Sequence, residues 1–290
     1  MLPENFSFSH LHSALTAAGL AALLNYPFAV DGPALLRDYA AGLIRINVSG
    51  QSAEKQKPAL RTNDLRMIAS GKNVIALQPV RGVIYSGVNP DTEDNYGAFN
   101  TDRIHHTATT VAGNPAVKML LLNFDTPGGS VMGLRAAADA LLNLKALRPD
   151  MALVGYSQRL CASAGMYLAA ALDAFHAAPG AYIGSIGTVA ELVSWKGLQE
   201  KLGIDKRVYT GDSTLKGMGR SAITPEQDAH MQALVKQYSD EFKGWMLARR
   251  GLSPGAMQGQ AWEARLAPPG MTDSTAFVTL EQFLATALGL

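Results

Sequence analysis

The sequence predicts an α/β fold built on a mostly parallel sheet, and two observations predict it. From Asn73 onward, strand-length apolar runs alternate with helix-length amphipathic stretches, which is the pattern of layered α/β domains. Within that alternation, Val117 to Phe124 reads VKMLLLNF, a continuous apolar run of strand length, as a parallel strand buried on both faces requires. The bulk composition permits such a core: 290 residues, 48% of them hydrophobic and 17% charged, suffice for one large domain or for one domain with a smaller companion.

Residues 1–72 read as a small N-terminal appendage, helical or irregular. Leu11 to Leu24 has the texture of an amphipathic helix. Ser13 to Val30 carries no charge, but the first Lys or Arg is Arg37, so the basic region that opens a signal peptide is missing. A membrane span needs about 20 strongly apolar residues. Here the stretch is Ala-rich and broken by Asn25 and Pro27. A soluble helix is the expectation and a membrane anchor the alternative. Leu35, Leu36, Tyr39, Ala40 and Leu43 recur at helical spacing, and Gly50 to Pro58 is a polar linker or loop.

The main domain is placed at 73–290. Val74 to Val80 and Val83 to Tyr85 read as strands, Asp102 to Ala112 as a helix, and Val117 to Phe124 as the buried strand. Gly129 to Leu147 reads as a helix, with Val131, Leu134, Ala137, Ala138, Leu141 and Leu142 on one face. Met151 to Tyr156 is a strand and Ala162 to Leu172 a helix; Ala181 to Val189 and Lys206 to Thr210 are later strands. The clearest helix runs from Pro225 to Arg250. Thr224 is a good N-cap, Pro225 takes the first helical position, and Met231, Leu234, Val235, Tyr238, Phe242, Trp245 and Met246 form one stripe. A short helix is expected near Leu280 to Leu288.

Charge and cysteine content narrow the function. A net charge of +1 argues against a large electrostatic footprint for nucleic acid. With Cys161 alone, neither an internal disulfide nor a cysteine-rich metal site forms, and one thiol fits a reducing compartment such as cytoplasm. No cofactor or metal is implied.

Two loops fall at the carboxyl ends of strands, where chemistry sits in parallel sheets. Asp125-Thr126-Pro127-Gly128-Gly129-Ser130 follows the VKMLLLNF strand. Its paired glycines let backbone N–H groups approach a ligand, and the helix behind adds partial positive charge. That suits a phosphate or the oxyanion of an acyl-transfer intermediate, or it is a plain strand-to-helix turn. Neither a P-loop nor a dinucleotide fingerprint is present. In Cys161-Ala162-Ser163-Ala164-Gly165, Ser163 opens an otherwise apolar helix, either as an N-cap or as a nucleophile on a strand-to-helix elbow. Cys161 stands where the elbow pattern has its first Gly. None of the six histidines has a triad-like context.

Together these pieces resemble the S49 peptidase family, which holds signal peptide peptidase A and the head-maturation proteases of tailed phages. Four blocks carry the resemblance: Asp125 to Val131, Ala162 to Ala169, Pro179 to Thr188, and Tyr209 to Gly219. They stand in the family's order, the similarity as a whole covers about Val74 to Asp273, and Asn25 to Val30 is similar to segments ahead of the core in phage-type members. This chain departs in having Ala164-Gly165 where two glycines often follow the serine, and Gly270-Met271-Thr272-Asp273 where Gly-Leu-Val-Asp is usual. The resemblance implies a ClpP/crotonase-like fold of layered ββα repeats. It also implies Ser163 as nucleophile, Lys216 as base, Ser185 as the residue positioning the lysine amine, and Gly128, Gly129, Ser130 and Ala164 around the oxyanion and substrate. A free lysine, with a pKa of about 10.4, is a poor base at neutral pH and must be desolvated to act as one.

The same resemblance implies a protein or peptide substrate lying extended against a strand edge, a homo-oligomer, and no cofactor. Its phage-type branch implies capsid or scaffold proteins as partners, inside the bacterial cytoplasm. Three rivals stand beside it. Ser213-Thr214-Leu215-Lys216 fits Ser-x-x-Lys, but so does Ser52 to Lys55, and the companion Lys-Thr-Gly is absent. A crotonase-type acyl-CoA enzyme shares the layered units without needing Ser163 and Lys216. A structural protein on an inactive protease fold would not need them either.

Overall fold

The computed structural model describes residues 62–70, 73–88, 93, 95–213, 215–218 and 222–289. The expectations for the N-terminal helices, the 50–58 linker and the Asn25 to Val30 segment lie outside them. The described residues divide into two compact units: Ala190–Lys236, and a larger one of 62–189 with 237–289.

The larger unit is organised on a sheet of seven strands. Strand β1 (Arg66–Ser70) runs antiparallel to β2 (Asn73–Arg81), which pairs parallel with β5 (Val117–Thr126). Strand β5 pairs parallel with β6 (Ala152–Ala162), and β6 pairs parallel with both β7 (Ala174–Ala177) and β8 (Tyr182–Gly184). Strand β9 (Ala261–Glu263) closes the far edge antiparallel to β8. A separate parallel pair joins β3 (Val83–Tyr85) to β4 (Ala98–Asn100).

Alternation along the central strands splits the core into two layers. Ala76 and Val80 of β2, Leu120, Leu122 and Phe124 of β5, and Leu153 of β6 face one side. There they meet helices α1 (Asp102–Ala112), α2 (Leu134–Leu147) and α3 (Ala164–Ala169). Ile75, Leu77, Leu121, Val154 and Tyr156 face the other side, where α6 (Leu280–Leu288) covers them. The Phe283 ring stacks on Tyr156 at 5.4 Å. Each fully buried Leu or Phe contributes about 1.5–3 kcal/mol by leaving water, so β5, which feeds both layers, is the energetic spine.

Several boundaries differ from the sequence expectation, each for a tertiary reason. The sheet includes a strand ahead of residue 73, β1, because Arg66 to Ser70 finds an antiparallel partner in β2. Helix α2 starts at Leu134, not Gly129, since Gly129 bridges to Ile84 and Gly133 turns left-handed. Strand β6 extends to Ala162 because Leu160 to Ala162 pair with β8. The strand expected over Ala181 to Val189 is confined to Tyr182–Gly184.

In the smaller unit, α4 (Lys196–Lys201) buries none of its residues, and the strand expected over Lys206 to Thr210 does not form. Helix α5 (Pro225–Arg250) has the expected bounds. Its start is held by a reciprocal cap: Thr224 Oγ1 accepts the Gln227 N–H at 3.2 Å, and Gln227 Oε1 accepts the Thr224 N–H at 3.3 Å. Residues 237–250 of this helix belong to the larger unit, where Phe242 and Met246 are buried in the core. Among the described residues, no helix is long and apolar enough to cross a membrane.

Candidate active site

Strands β5 and β6 are parallel neighbours, so the two loops that the sequence singles out leave the same edge of the sheet. Ser163 follows β6 directly and is 4% exposed. Its backbone lies at φ 50° and ψ −117°, a region costly to any side chain. Holding a residue there costs about 1–3 kcal/mol and persists only where the surroundings impose it. Two contacts do so: the Ser163 N–H donates to Gly184 O at 2.8 Å, and Ser163 O accepts the Tyr167 N–H at 3.1 Å. The serine hydroxyl makes no capping hydrogen bond to α3. That disposes of the N-cap alternative and leaves the hydroxyl on a tight strand-to-helix turn.

The glycine turn after β5 lies against this serine. At Gly128, φ is 101°, and a Cβ there would stand 2.6 Å from Ser163 Cβ, 2.9 Å from Ala162 O and 3.0 Å from Ala164 N. Only a glycine permits that approach. At Gly129, a Cβ would fall 2.0 Å from Ile84 O, because the turn is laced to β3. The Ile84 N–H donates to Gly128 O and the Ser130 N–H to Ile84 O, both at 2.8 Å.

The same lacing decides which N–H groups remain available. The Gly128 N–H donates to Thr126 Oγ1 at 3.1 Å. The Ser130 N–H is taken by Ile84, and Ser130 Oγ accepts the Met132 N–H at 3.1 Å. The N–H groups of Gly129 and of Ala164, first residue of α3, have no acceptor among the described residues. Of the four positions expected around the oxyanion, these two keep a free donor.

Ser185 is close by in the backbone. Ala162 is in register with Gly184, and the Ser185 N–H donates to Gln260 O at 2.6 Å. Ser163 and Ser185, at φ 50° and 54°, are the non-glycine residues of positive φ among the described residues. The structure thus brings Gly128, Gly129, Ser130, Ser163, Ala164 and Ser185 into one neighbourhood of the larger unit. Lys216 belongs to the smaller unit and is exposed, in a turn at 215–218.

Among the described residues, the histidines give no competing base at the serine turn. His105, His106 and His230 are exposed on helices, and His176 sits on β7 against Phe277 and Phe283. Cys161, two residues before Ser163, is fully buried, and burial pushes its thiol well above the usual range, so it stays protonated and inert. Two participants escaped the sequence reading: Thr126, whose hydroxyl takes the Gly128 N–H, and Gly184, whose carbonyl holds the Ser163 N–H. A hydroxyl ending an apolar strand just before Pro-Gly-Gly was the available signal for the first.

Residues 145–267 match Peptidase family S49. This stretch is similar to that family. It contains Ser163, Ser185 and Lys216, while the glycine turn precedes it. The chain is 27% identical over 259 residues to the head-tail preconnector protein GP5 of Enterobacteria phage P21, covering 83% of this chain and 50% of that protein. It is 26% identical over 197 residues to an Enterococcus faecium chain carrying the name signal peptide peptidase SppA, covering 66% and 54%. It is 28% identical over 182 residues to the capsid assembly protease C of Escherichia phage lambda, covering 62% and 40%. The chain therefore spans about half the length of the curated relatives it matches. Among solved structures, an enoyl-CoA hydratase/isomerase family member aligns with a TM-score of 0.42 at 13% identity, covering 79% of this chain and 76% of its own.

Proposed function

We propose that the protein is a serine endopeptidase in which Ser163 is the nucleophile and Lys216 the base. The observation that carries this reading is the strained Ser163 turn in contact with Gly128, with the N–H groups of Gly129 and Ala164 left free beside it. The match of residues 145–267 to Peptidase family S49, which includes the lysine block, supports the assignment of Lys216.

The chemistry runs in two halves. Ser163 Oγ attacks the scissile carbonyl carbon, forming a C–O bond, and the carbonyl electron pair moves onto oxygen. The hydroxyl proton passes to the neutral Lys216 amine. The oxyanion is held by the Gly129 and Ala164 N–H groups, each such donor being worth about 10²–10³-fold in rate. As the tetrahedral intermediate collapses, the C–N bond breaks and the Lys216 ammonium returns its proton to the leaving amine. Water then repeats the cycle on the acyl-enzyme, releasing acid and free serine. Ser185, one residue beyond the carbonyl that anchors Ser163, is assigned to orient the lysine amine.

The names of the two phage relatives support capsid or scaffold proteins as substrates, acting in an infected bacterial cytoplasm. We also infer a homo-oligomer, supported by Val193, Trp195, Leu198, Leu202 and Ile204, large apolar residues exposed on one short stretch of the smaller unit. Light scattering on the purified chain tests that inference, and a monomer at all concentrations removes it.

The test of the activity is incubation of wild type, Ser163→Ala and Lys216→Ala with an unfolded protein, with products read by mass spectrometry across pH. Cleavage should rise towards alkaline pH, because only a neutral amine accepts the proton, and should vanish in both variants. Undiminished cleavage by either variant removes the role given to that residue.

A further inference from the structure

Thr126 ends β5 completely buried, yet its side chain touches three separate pieces of the site. Its Oγ1 donates to Gly82 O at 2.6 Å, in the turn between β2 and β3. The same oxygen accepts the Gly128 N–H at 3.1 Å. Its methyl faces the first turn of α3, since a Cβ added at Gly165 would lie 2.7 Å from Thr126 Cγ2. One side chain therefore spans the glycine turn on one side and the nucleophile turn on the other.

We propose that Thr126 is a positioning residue that sets the two oxyanion donors, and this rests on the reading of Ser163, Gly129 and Ala164 given above. The hydroxyl selects the donor. By holding the Gly128 N–H inward, it leaves the next N–H, that of Gly129, as the one facing outward beside Ser163. The methyl sets the spacing. It abuts Gly165, adjacent to Ala164, and so limits how closely the second donor approaches the first. The register of Thr126 with Cys161 places this strut between the two strand ends that carry the site. A valine at 126 keeps the shape but leaves the Gly128 N–H and Gly82 O without their shared partner. Buried backbone groups in that position seek new partners, and the peptide between Gly128 and Gly129 is the part free to turn. A serine keeps both hydrogen bonds and loses only the methyl.

The experiment compares wild type, Thr126→Val and Thr126→Ser by steady-state kinetics on one peptide substrate, well below their unfolding temperatures, and by amide hydrogen exchange. Thr126→Val should lose about 100-fold in kcat with KM within about threefold, the mark of an interaction made in the transition state. Thr126→Ser should remain within about tenfold of wild type. The Gly128 amide should exchange fast in the valine variant and slowly in the serine variant. A role confined to stability would lower the melting temperature and leave kcat of the folded enzyme unchanged. Thr126→Val with kcat within about fivefold of wild type, or a Gly128 amide equally protected in both variants, overturns the inference. Should Thr126→Val not fold, the pair Thr126→Ala and Thr126→Ser carries the same comparison. If wild type shows no Ser163-dependent cleavage, the peptidase reading itself falls, and this inference falls with it as a statement about catalysis.

Discussion

Replacing Gly128 by alanine probes the contact on which the site is built. Two costs follow from the structure. The backbone at φ 101° is one that side chains rarely adopt, and forcing a non-glycine residue into it costs about 1–3 kcal/mol. The new methyl would also press on Ser163 Cβ at 2.6 Å, well inside the 3.4 Å where ordinary contact begins. Two of its neighbours are backbone atoms, Ala162 O and Ala164 N, so no flexible side-chain end can swing away. Overpacking of this kind adds about 1–3 kcal/mol, for a total of about 2–6 kcal/mol. The serine must retreat by about 0.8 Å, and a displacement of about 1 Å at reacting groups costs about 100-fold in rate. Urea unfolding reads the first quantity, and kcat on a peptide substrate reads the second. Gly87→Ala is the internal control: its φ of 70° carries a similar backbone penalty, but a Cβ there meets nothing within 4 Å. It should lose about 1 kcal/mol and keep wild-type kcat. A Gly128→Ala enzyme with kcat within about fivefold of wild type would show that the glycine turn does not position Ser163.

Three further outcomes are expected. Cys161, buried and pushed towards the protonated form, should resist iodoacetamide in the native protein and react fully once urea unfolds it; labelling of the native chain at the rate of a free thiol contradicts its burial. Trp245 donates its indole N–H to Tyr167 O at 3.0 Å and stacks on the Tyr167 ring at 5.1 Å, with Arg135 and Arg249 over its faces. Trp245→Ala should therefore cost about 3 kcal/mol in urea unfolding, and a change below about 0.5 kcal/mol would refute that anchoring role for α5. His176 lies between Phe277 and Phe283 with Nδ1 unpaired; burial lowers its pKa below 6.5, Asp273 opposes that shift and Arg250 adds to it. The unfolded chain then binds the proton first, so this site loses stability as pH falls through 6.5 and levels off below the folded-state value. His176→Leu should flatten that part of the pH–stability curve, and an unchanged slope means that other groups produce it.

Legibility in the sequence followed the range of the interactions involved. Helix α5 was readable to the residue because its signals are local: a Thr cap, a Pro at the first position and a stripe set by helical period. Strand β5 was readable because burial on both faces demands a continuous apolar run. The short strands were not. Ala98–Asn100 and Ala261–Glu263 exist because β3 and β8 offer them partners distant in the chain, and three residues hold no period of their own. The start of α2 was misplaced for a similar reason: Gly129 is claimed by Ile84, 45 positions earlier, before the helix can use it.

The sequence alone placed the candidate residues of the site. Ser163, Gly128, Gly129 and Ala164 stand at strand ends because apolar runs stop there and small residues begin, and those are properties of neighbouring residues. Tertiary structure alone decided how each group is held. Whether the Ser163 hydroxyl caps a helix, which glycine amide stays free, and what holds the serine in a strained conformation all depend on hydrogen bonds to Thr126, Ile84 and Gly184. Such bonds join residues that no window along the chain contains together, so only the packed sheet could select among them.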